Sequence, residues 1–267
     1  MIPASRSVAY GGLRNQGIFK KSHHRKPLIT VITVVFNGEK YLEETIQSVI
    51  NQTYDNIEYI IIDGESTDGT LDIIHKYTDR IDYWLSEKDH GIYDAMNKGI
   101  SLAKGDWILF IGADDKIFSP KTMSTIPFEK YKNSMLIAGK IVYDTQQQVT
   151  SSIGFKTLLH NTVHHQSAFY NKNLFTIWRY DLSFKLIADY ELNLLLYLNQ
   201  AQTTMVNELI AFCQEGGMSR KHLKIAYHET NAIRQKYLGK KSVFFAVLYS
   251  LKILLSLIKK NIFYATK

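Results

Sequence analysis

The chain has 267 residues, 45% of them apolar, which is enough to bury a core and too many for a disordered protein. Its one cysteine, Cys213, excludes an internal disulfide and a cysteine-based zinc cluster, and fits a reducing compartment. The net charge of +7 sits at the ends: residues 1–27 hold six Lys/Arg and no acid, residues 218–267 hold eleven and one acid, Glu229, and the stretch between is net acidic.

Basic ends suit nucleic acid or an anionic membrane, whereas an acidic middle suits a cation and repels nucleic acid. Residues 1–27 show no period and no apolar stretch of the ~7–15 residues a secretory signal needs, so a loose basic arm is expected there. Leu28 to Phe36 is a β-branched run, the pattern of a parallel strand buried on both faces. Tyr41, Leu42, Thr45, Ile46, Val49 and Ile50 recur at helical spacing, with Asn37 as N-cap. A strand over 57–62, a helix marked by Leu71, Ile74 and Tyr77, a short strand over 83–85 and a helix over 92–103 follow. Gly105 is expected to close that helix, and Trp107 to Ile111 forms the next buried strand. This β-α-β-α-β-α-β order predicts a doubly wound α/β sheet. Such sheets bind ligands beyond the carboxyl ends of their strands, which gathers Asn37, Asp63, Asp114 and Asp115.

After residue 120 the pattern loosens. A hairpin is expected over 136–143 and 149–153, a short strand over 167–170, a helix over 188–198, and strands over 203–206 and 209–213.

No G-x-G-x-x-G follows the first strand, and Gly239-Lys240-Lys241-Ser242 lacks the spacing of a P-loop. Asp114-Asp115 ends a buried strand, where two adjacent carboxylates repel unless a cation such as Mg²⁺ or Mn²⁺ joins them. The competing reading is a turn or helix cap. Asp63 in DGEST divides in the same way, between an Asx turn and a ligand contact.

Two blocks, VITVVFNGEKYLEETIQSVINQTYDNIEYIIIDGESTDGT and SEKDHGIYDAMNKGISLAKGDWILFIGADD, together resemble the nucleotide-binding half of family 2 glycosyltransferases. The resemblance is dense over 28–116 and thinner through HHQSAFY, FKLIADYELNLLL and GGMS. It implies a GT-A (Rossmann-like) fold: a mixed, mostly parallel sheet flanked by helices. It also implies Thr33, Asn37 and Asp63 near the nucleobase, with Asp63 accepting from a base N–H, as uracil or thymine offers. Asp114 is placed by it on the ribose or the metal, and Asp115 on the metal, Mn²⁺ or Mg²⁺. Ala113 stands where a literal D-x-D has its first acid, a variant also found in the family. Asp94 and Asn97, on one face of the 92–103 helix, are implied donor contacts, with a solvated face as the alternative.

Asp189 is the implied catalytic base, against the simpler role of helix cap. Its neighbour Glu191 is the residue most easily mistaken for it. His165 and Gln166 are expected on the acceptor side, one of the adjacent histidines facing away if they lie in a strand. Arg220, Lys221 and His222, after the glycines of GGMS, are candidates for the diphosphate.

Residues 242–258 are apolar, interrupted by Lys252 and bracketed by lysine pairs, and are too short for an ordinary span. They suit an amphipathic helix lying on an anionic membrane, or a packing helix. The expected organisation is a basic arm over 1–27, a GT-A domain over 28–222 (nucleotide half 28–116, acceptor half 117–222), and a membrane-associating helical segment over 223–267. The expected activity is inverting, metal-dependent transfer from a nucleotide-diphosphate sugar, UDP-linked by preference, to a glycan or lipid-linked acceptor of a surface polysaccharide. The expected location is the cytoplasmic face of the membrane, with no nucleic-acid partner. The alternatives are a sugar-nucleotide nucleotidyltransferase, which needs a glycine-rich basic loop that VVFNGEKY lacks, and a non-catalytic nucleotide-sugar-binding module.

Overall fold

β-branched runs build the centre of one ten-stranded sheet in the computed structural model, which describes residues 8–217 and 221–252. In chain order the strands are β1 (Ala9–Gly11), β2 (Ile29–Val35), β3 (Ile57–Asp63), β4 (Tyr83–Ser86), β5 (Trp107–Gly112), β6 (Lys116–Ile117), β7 (Leu136–Tyr143), β8 (Gln148–Thr150), β9 (Ala168–Asn171) and β10 (Thr203–Cys213). The helices are α1 (Leu42–Ile50), α2 (Thr70–Lys76), α3 (Ile92–Leu102), α4 (Ala188–Leu198) and α5 (Leu223–Leu238), and residues 242–252 are also helical. The spatial order is β1-β4-β3-β2-β5-β9-β7-β10-β6, with β8 on β7. β4, β3, β2 and β5 are mutually parallel, as are β7 and β10; β9 runs antiparallel between the two groups. The chain order reverses at β2, between β3 and β5, and this switch point is where open α/β sheets bind ligands.

Alternate residues of each central strand face opposite cores. Ile29, Val31, Tyr59, Ile61, Trp107 and Leu109 meet α1 and α2. Ile32, Ile60, Ile62, Ile108 and Phe110 meet α3 and one side of α4. Each fully buried Ile or Leu side chain stabilises by ~1.5–3 kcal/mol, so both faces of the sheet must be covered, which demands the apolar runs seen in the sequence. Gly99 lets α3 lie flush on β2, since a Cβ there would come within 2.6 Å of Ile32. The other side of α4 buries Tyr190 and Leu194 against Ile233, Tyr237 and Phe245. α4 is therefore sandwiched, which explains its apolar residues on all sides.

Several expectations are corrected. Residues 8–27 are not a loose arm: β1 pairs with β4, Arg14 forms an ion pair with Glu58, and Lys20 pairs with Asp82 at 2.8 Å. A three-residue strand at a sheet edge is too short to show a period, so the sequence pattern hid it. Asn37 does not cap α1, whose N-cap is Tyr41; it adopts a left-handed φ of 52° in the loop before the helix. α3 ends at Ala103, and Gly105 instead donates its N–H to the Thr30 hydroxyl at 2.8 Å. The strands expected over 203–206 and 209–213 are one strand with an irregular register against β7.

Candidate active site

The carboxyl ends of β2, β3 and β5 present the nucleotide half of the site. Asp63 is fully buried, and its carboxylate accepts from the Ser86 hydroxyl at 2.6 Å, from the Ser66 hydroxyl, and from the Ser66 N–H. Ser66 in turn accepts the Asn37 N–H at 2.7 Å, and Asn37 Oδ1 accepts the Thr67 N–H at 2.9 Å. Asn37, Asp63 and Ser66 thus form one hydrogen-bonded rim around the switch point. Thr33 is not part of it: its hydroxyl pairs with the Tyr59 hydroxyl at 3.1 Å in the core, with no exposure. The strand's alternation turns Thr33 inward, which corrects its placement beside the base.

On α3, Asp94 accepts the His90 N–H at 3.0 Å, and its carboxyl is held below the usual range: burial opposes this, but bonds from His90 and the charge of Lys98 outweigh it. Asn97 gives its amide to the backbone of Tyr180, donating to the carbonyl and accepting the N–H at 2.9 Å each, and so fastens α3 to the loop before α4.

Asp114 is exposed just beyond β5, and Asp115 is 5% exposed. The Thr45 hydroxyl of α1 lies 2.7–2.8 Å from the carbonyls of Asp115 and Ala113 and holds this turn in shape. Gln166 Nε2 donates to Asp115 at 3.0 Å. Burial, and then the charge of Asp114, push the Asp115 carboxyl above the usual range. No Lys or Arg pairs with Asp115 among the described residues, and none of the described His, Cys, Asp and Glu side chains form a cluster of three metal ligands. A buried carboxylate beside a second acid, hydrogen-bonded by the Gln166 amide and the Cys213 thiol, fits a divalent cation that takes its remaining oxygens from a substrate diphosphate.

Asp189, in the first turn of α4, is 6% exposed. It accepts from Asn161 Nδ2 at 2.8 Å, and the Tyr93 hydroxyl and His165 Nδ1 lie 3.4 Å away. The residues 164–167 do not form a strand; His165–Ser167 is a 3-10 turn, so its side chains diverge differently. His165 reaches Asp189 while Gln166 reaches Asp115, and this one turn joins the two carboxylates. Burial disfavours a charged His165, but its bond to Asp189, and the charges of Asp189 and Asp115, hold its pKa above the usual imidazole value. A cleft of about 240 Å³ opens here, lined by Tyr143, Asn161, His165, Gln166, Asp189 and Cys213. Burial pushes the Cys213 thiol far up, so it is inert.

Glu191 faces away from the cleft, accepting from Lys236 Nζ at 2.7 Å and the Tyr237 hydroxyl at 2.6 Å. Gly217 lines the cleft and Gly216 has φ 96°, a left-handed turn that glycine permits. Lys221 and His222 are exposed where α5 begins, and Arg220 lies outside the described residues. Sequence reasoning missed Asn161, Tyr93, Ser86 and Glu229. Tyr93 lay inside a block already singled out; Asn161 and Glu229 lie in stretches without a pattern, and only the fold brings them to α4.

The sheet and its acids define a glycosyltransferase of the GT-A type. The profile of glycosyl transferase family 2 matches residues 30–127. The PGL/p-HBAD biosynthesis glycosyltransferase of Mycobacterium bovis (strain BCG) is 30% identical over 203 residues, which are 72% of this chain and 79% of that one. The chain belongs to glycosyltransferase family 2. Among solved structures, S. aureus TarS 1-349 in complex with UDP-GlcNAc superposes with a TM-score of 0.58 at 17% identity, covering 81% of this chain and 73% of that one. The mannosyltransferase PcManGT of Pyrobaculum calidifontis, in complex with GDP-Man and Mn²⁺, superposes with a TM-score of 0.57 at 14% identity, covering 94% and 83%. These two establish the fold.

Proposed function

We propose that the protein is an inverting glycosyltransferase that moves a sugar from a UDP-sugar to a hydroxyl of a glycan or lipid-linked acceptor in surface-polysaccharide synthesis. The observation that carries this reading is the His165-Gln166 turn, which lines the cleft with Asp189 and contacts Asp189 through His165 and Asp115 through Gln166. The base seats on the rim of Asn37, Ser66 and Asp63, where Asp63 accepts its N–H in place of the Ser66 hydroxyl, which favours uridine. Asp94 keeps its donor-contact role in this reading, whereas the amide of Asn97 serves the fold. A divalent cation, Mn²⁺ or Mg²⁺, held by Asp115 and Asp114, supplies charge neutralisation for the departing diphosphate when bound. Lys221 and His222, which follow the Gly216-Gly217 turn of the cleft, meet the diphosphate, and Arg220 precedes them in the sequence.

Asp189 takes the proton of the attacking acceptor hydroxyl, which is a poor nucleophile until it loses that proton. Asn161, Tyr93 and His165 fix the carboxylate's direction. One displacement from the face opposite the leaving group inverts the anomeric carbon. The enzyme works at the cytoplasmic face of a membrane, held by its C-terminal segment. No helix among the described residues is long and apolar enough to cross a membrane, and the apolar run of 242–258 passes beyond the described residues after 252.

The test is Asp189→Asn, which keeps size and removes the proton acceptor. Loss of a general base costs ~10²–10⁴ in rate. Transfer should fall on that scale while UDP affinity stays within about twofold. Transfer within a factor of about three of wild type would return Asp189 to a helix-capping role.

A further inference from the structure

A second and larger groove, of about 710 Å³, adjoins the cleft of Asp189. The two share Asn161 and Ile187 in their walls, and Asn161 is the residue that donates to Asp189. Three aromatic rings form its floor: Tyr249 stacks on His160 with centroids 5.5 Å apart, and on Tyr227 at 6.3 Å. Lys252 Nζ lies 2.8 Å from the Nε2 of His160, one of the groove's lining residues. His160 Nδ1 lies 2.8 Å from the Asn161 carbonyl, so it carries the ring proton and leaves Nε2 to accept from the ammonium. His160 is therefore neutral. Burial lowers its pKa first, and the positive charges of Lys252, Lys156 and Arg234 lower it further. The Lys252 pKa is lowered as well, by burial and then by Lys156. Among the described residues, the charges that bear on this pair are those of Lys156 and Arg234, both cationic, and Lys224 lines the same groove. Like charges held close together disfavour their own charged forms, and an anion bound among them relieves that.

Beyond Tyr227 the surface turns apolar. A further groove of about 420 Å³ runs between α5 and 242–252, lined by Tyr227, Val243, Val247 and Leu251. Val243, Phe244, Val247 and Leu251 are all at least half exposed. The path from Asp189 is thus polar, then cationic and aromatic, then apolar.

We propose that this path is the acceptor site for a saccharide carried on a lipid phosphate or diphosphate. The sugar hydroxyl sits at Asp189 and Asn161, the phosphate between Lys252 and Lys224, and the proximal lipid chain runs over Tyr227 toward Val247 and Leu251. This rests on the glycosyl-transfer reading above and adds the acceptor's chemical class.

The experiment is calorimetric titration of the full chain, in saturating UDP, with farnesyl diphosphate, farnesol and inorganic pyrophosphate. Farnesyl diphosphate should bind at least about tenfold more tightly than either fragment alone, because one charge-assisted contact is worth that factor or more. Lys252→Gln and Lys224→Gln should each weaken it about tenfold. Both variants should keep UDP affinity within about twofold, since neither residue borders the β2–β3–β5 rim. Lys224 is exposed, so its variant reports binding even if Lys252→Gln melts early. Pyrophosphate binding as tightly as farnesyl diphosphate overturns the lipid part. Farnesol binding as tightly reduces the path to an apolar surface and overturns the phosphate part. Unchanged farnesyl diphosphate affinity in both variants overturns the site itself. If UDP fails to bind while farnesyl diphosphate does, the transfer reading falls and the groove stands.

Discussion

Glu229 is the only acid in residues 218–267, and the fold places it at the start of the helix that carries Asp189. Its carboxylate accepts the N–H groups of Lys185, Leu186 and Ile187 at 2.7, 3.0 and 3.2 Å. The α4 N-cap, Ile187, has no side-chain cap of its own, so α5 provides one from a distance. Lys185 is exposed and water can replace its partner, which leaves two N–H groups that lose a charged acceptor in Glu229→Ala. At ~1.5–3 kcal/mol for a bond to a charged group, partly offset by water near Leu186, the loss comes to about 2–4 kcal/mol. Glu229→Gln keeps one oxygen without the charge, and roughly half that cost is expected. Urea denaturation measures these values. The catalytic consequence is separate. Asp189 lies two residues beyond Ile187, and a misplacement of ~1 Å costs on the order of 10² in rate. Under conditions where the variant is folded, kcat for transfer should therefore fall 10–100-fold in Glu229→Ala, by about this estimate, and recover substantially in Glu229→Gln. UDP affinity should not move, because the hydrogen bonds of Glu229 all go to residues 185–187, away from the β2–β3–β5 rim. An alanine variant that transfers at the wild-type rate would refute the positioning argument, whatever its stability. Equal losses in kcat and UDP affinity would show general unfolding instead.

The remaining expectations concern the acids, the histidine and the tail. Asp115→Ala should remove the stabilisation by Mn²⁺ plus UDP, which at 100 times the dissociation constant amounts to ~2.7 kcal/mol in the wild type; equal thermal shifts in both proteins would exclude Asp115 as a ligand. His165 should titrate by NMR above its ordinary 6.5, and Asp189→Asn should lower that value. Because the folded pKa is raised, the stability from this contact is complete below the unfolded value and is lost as pH rises through the folded one, so an Asp189→Asn penalty that grows with pH would contradict the assignment. Replacing Val243, Phe244 and Val247 together by Glu should release the protein from anionic vesicles without unfolding it, since all three are exposed; retention on vesicles would move the membrane contact elsewhere. Point changes are preferable to truncation after Lys241, which would take away the Phe245 carbonyl that accepts from buried Arg234.

The central sheet was legible because burial on both faces forces continuous β-branched runs, and β2, β3, β5 and α4 appear close to where the pattern sets them. The acid pair and Asp189 were legible because their positions relative to strand ends and helix starts are local. What stayed hidden depends on long-range partners. Thr33 has the residue type of a ligand contact, but the alternation of β2 sends its hydroxyl to Tyr59. Asn97 lies on the predicted face, yet its amide is taken by Tyr180, 83 residues away. Glu191 was separated from Asp189 by neighbouring text alone; the structure gives the physical reason, since two positions along a helix turn it away from the cleft and onto Lys236.

The uneven charge of the sequence has its first explanation inside the molecule. Arg14, Lys20 and Lys26 from the basic N-terminal stretch reach Glu58, Asp82 and Asp55 of the acidic middle. From the C-terminal stretch, Lys236 reaches both Glu191 and Asp181. Part of each basic end is thus a clamp on the catalytic domain, and it cannot also serve as a surface for polyanions. Exposed pairs of this kind contribute little, ~0–1 kcal/mol, but Glu58, Asp82 and Glu191 are buried, and a buried carboxylate that loses its partner costs ~3–5 kcal/mol. Neutralising Lys20 or Lys236 should therefore weaken the fold before it weakens any membrane contact. Lys224, Lys240, Lys241 and Lys252 form no ion pair among the described residues, and they lie on the same C-terminal helical stretch as the exposed Val243, Phe244 and Val247. In the reading proposed above, Lys224 and Lys252 meet the acceptor's phosphate while Lys240 and Lys241 meet anionic lipid, so acceptor capture and membrane attachment draw on neighbouring lysines of one helical stretch.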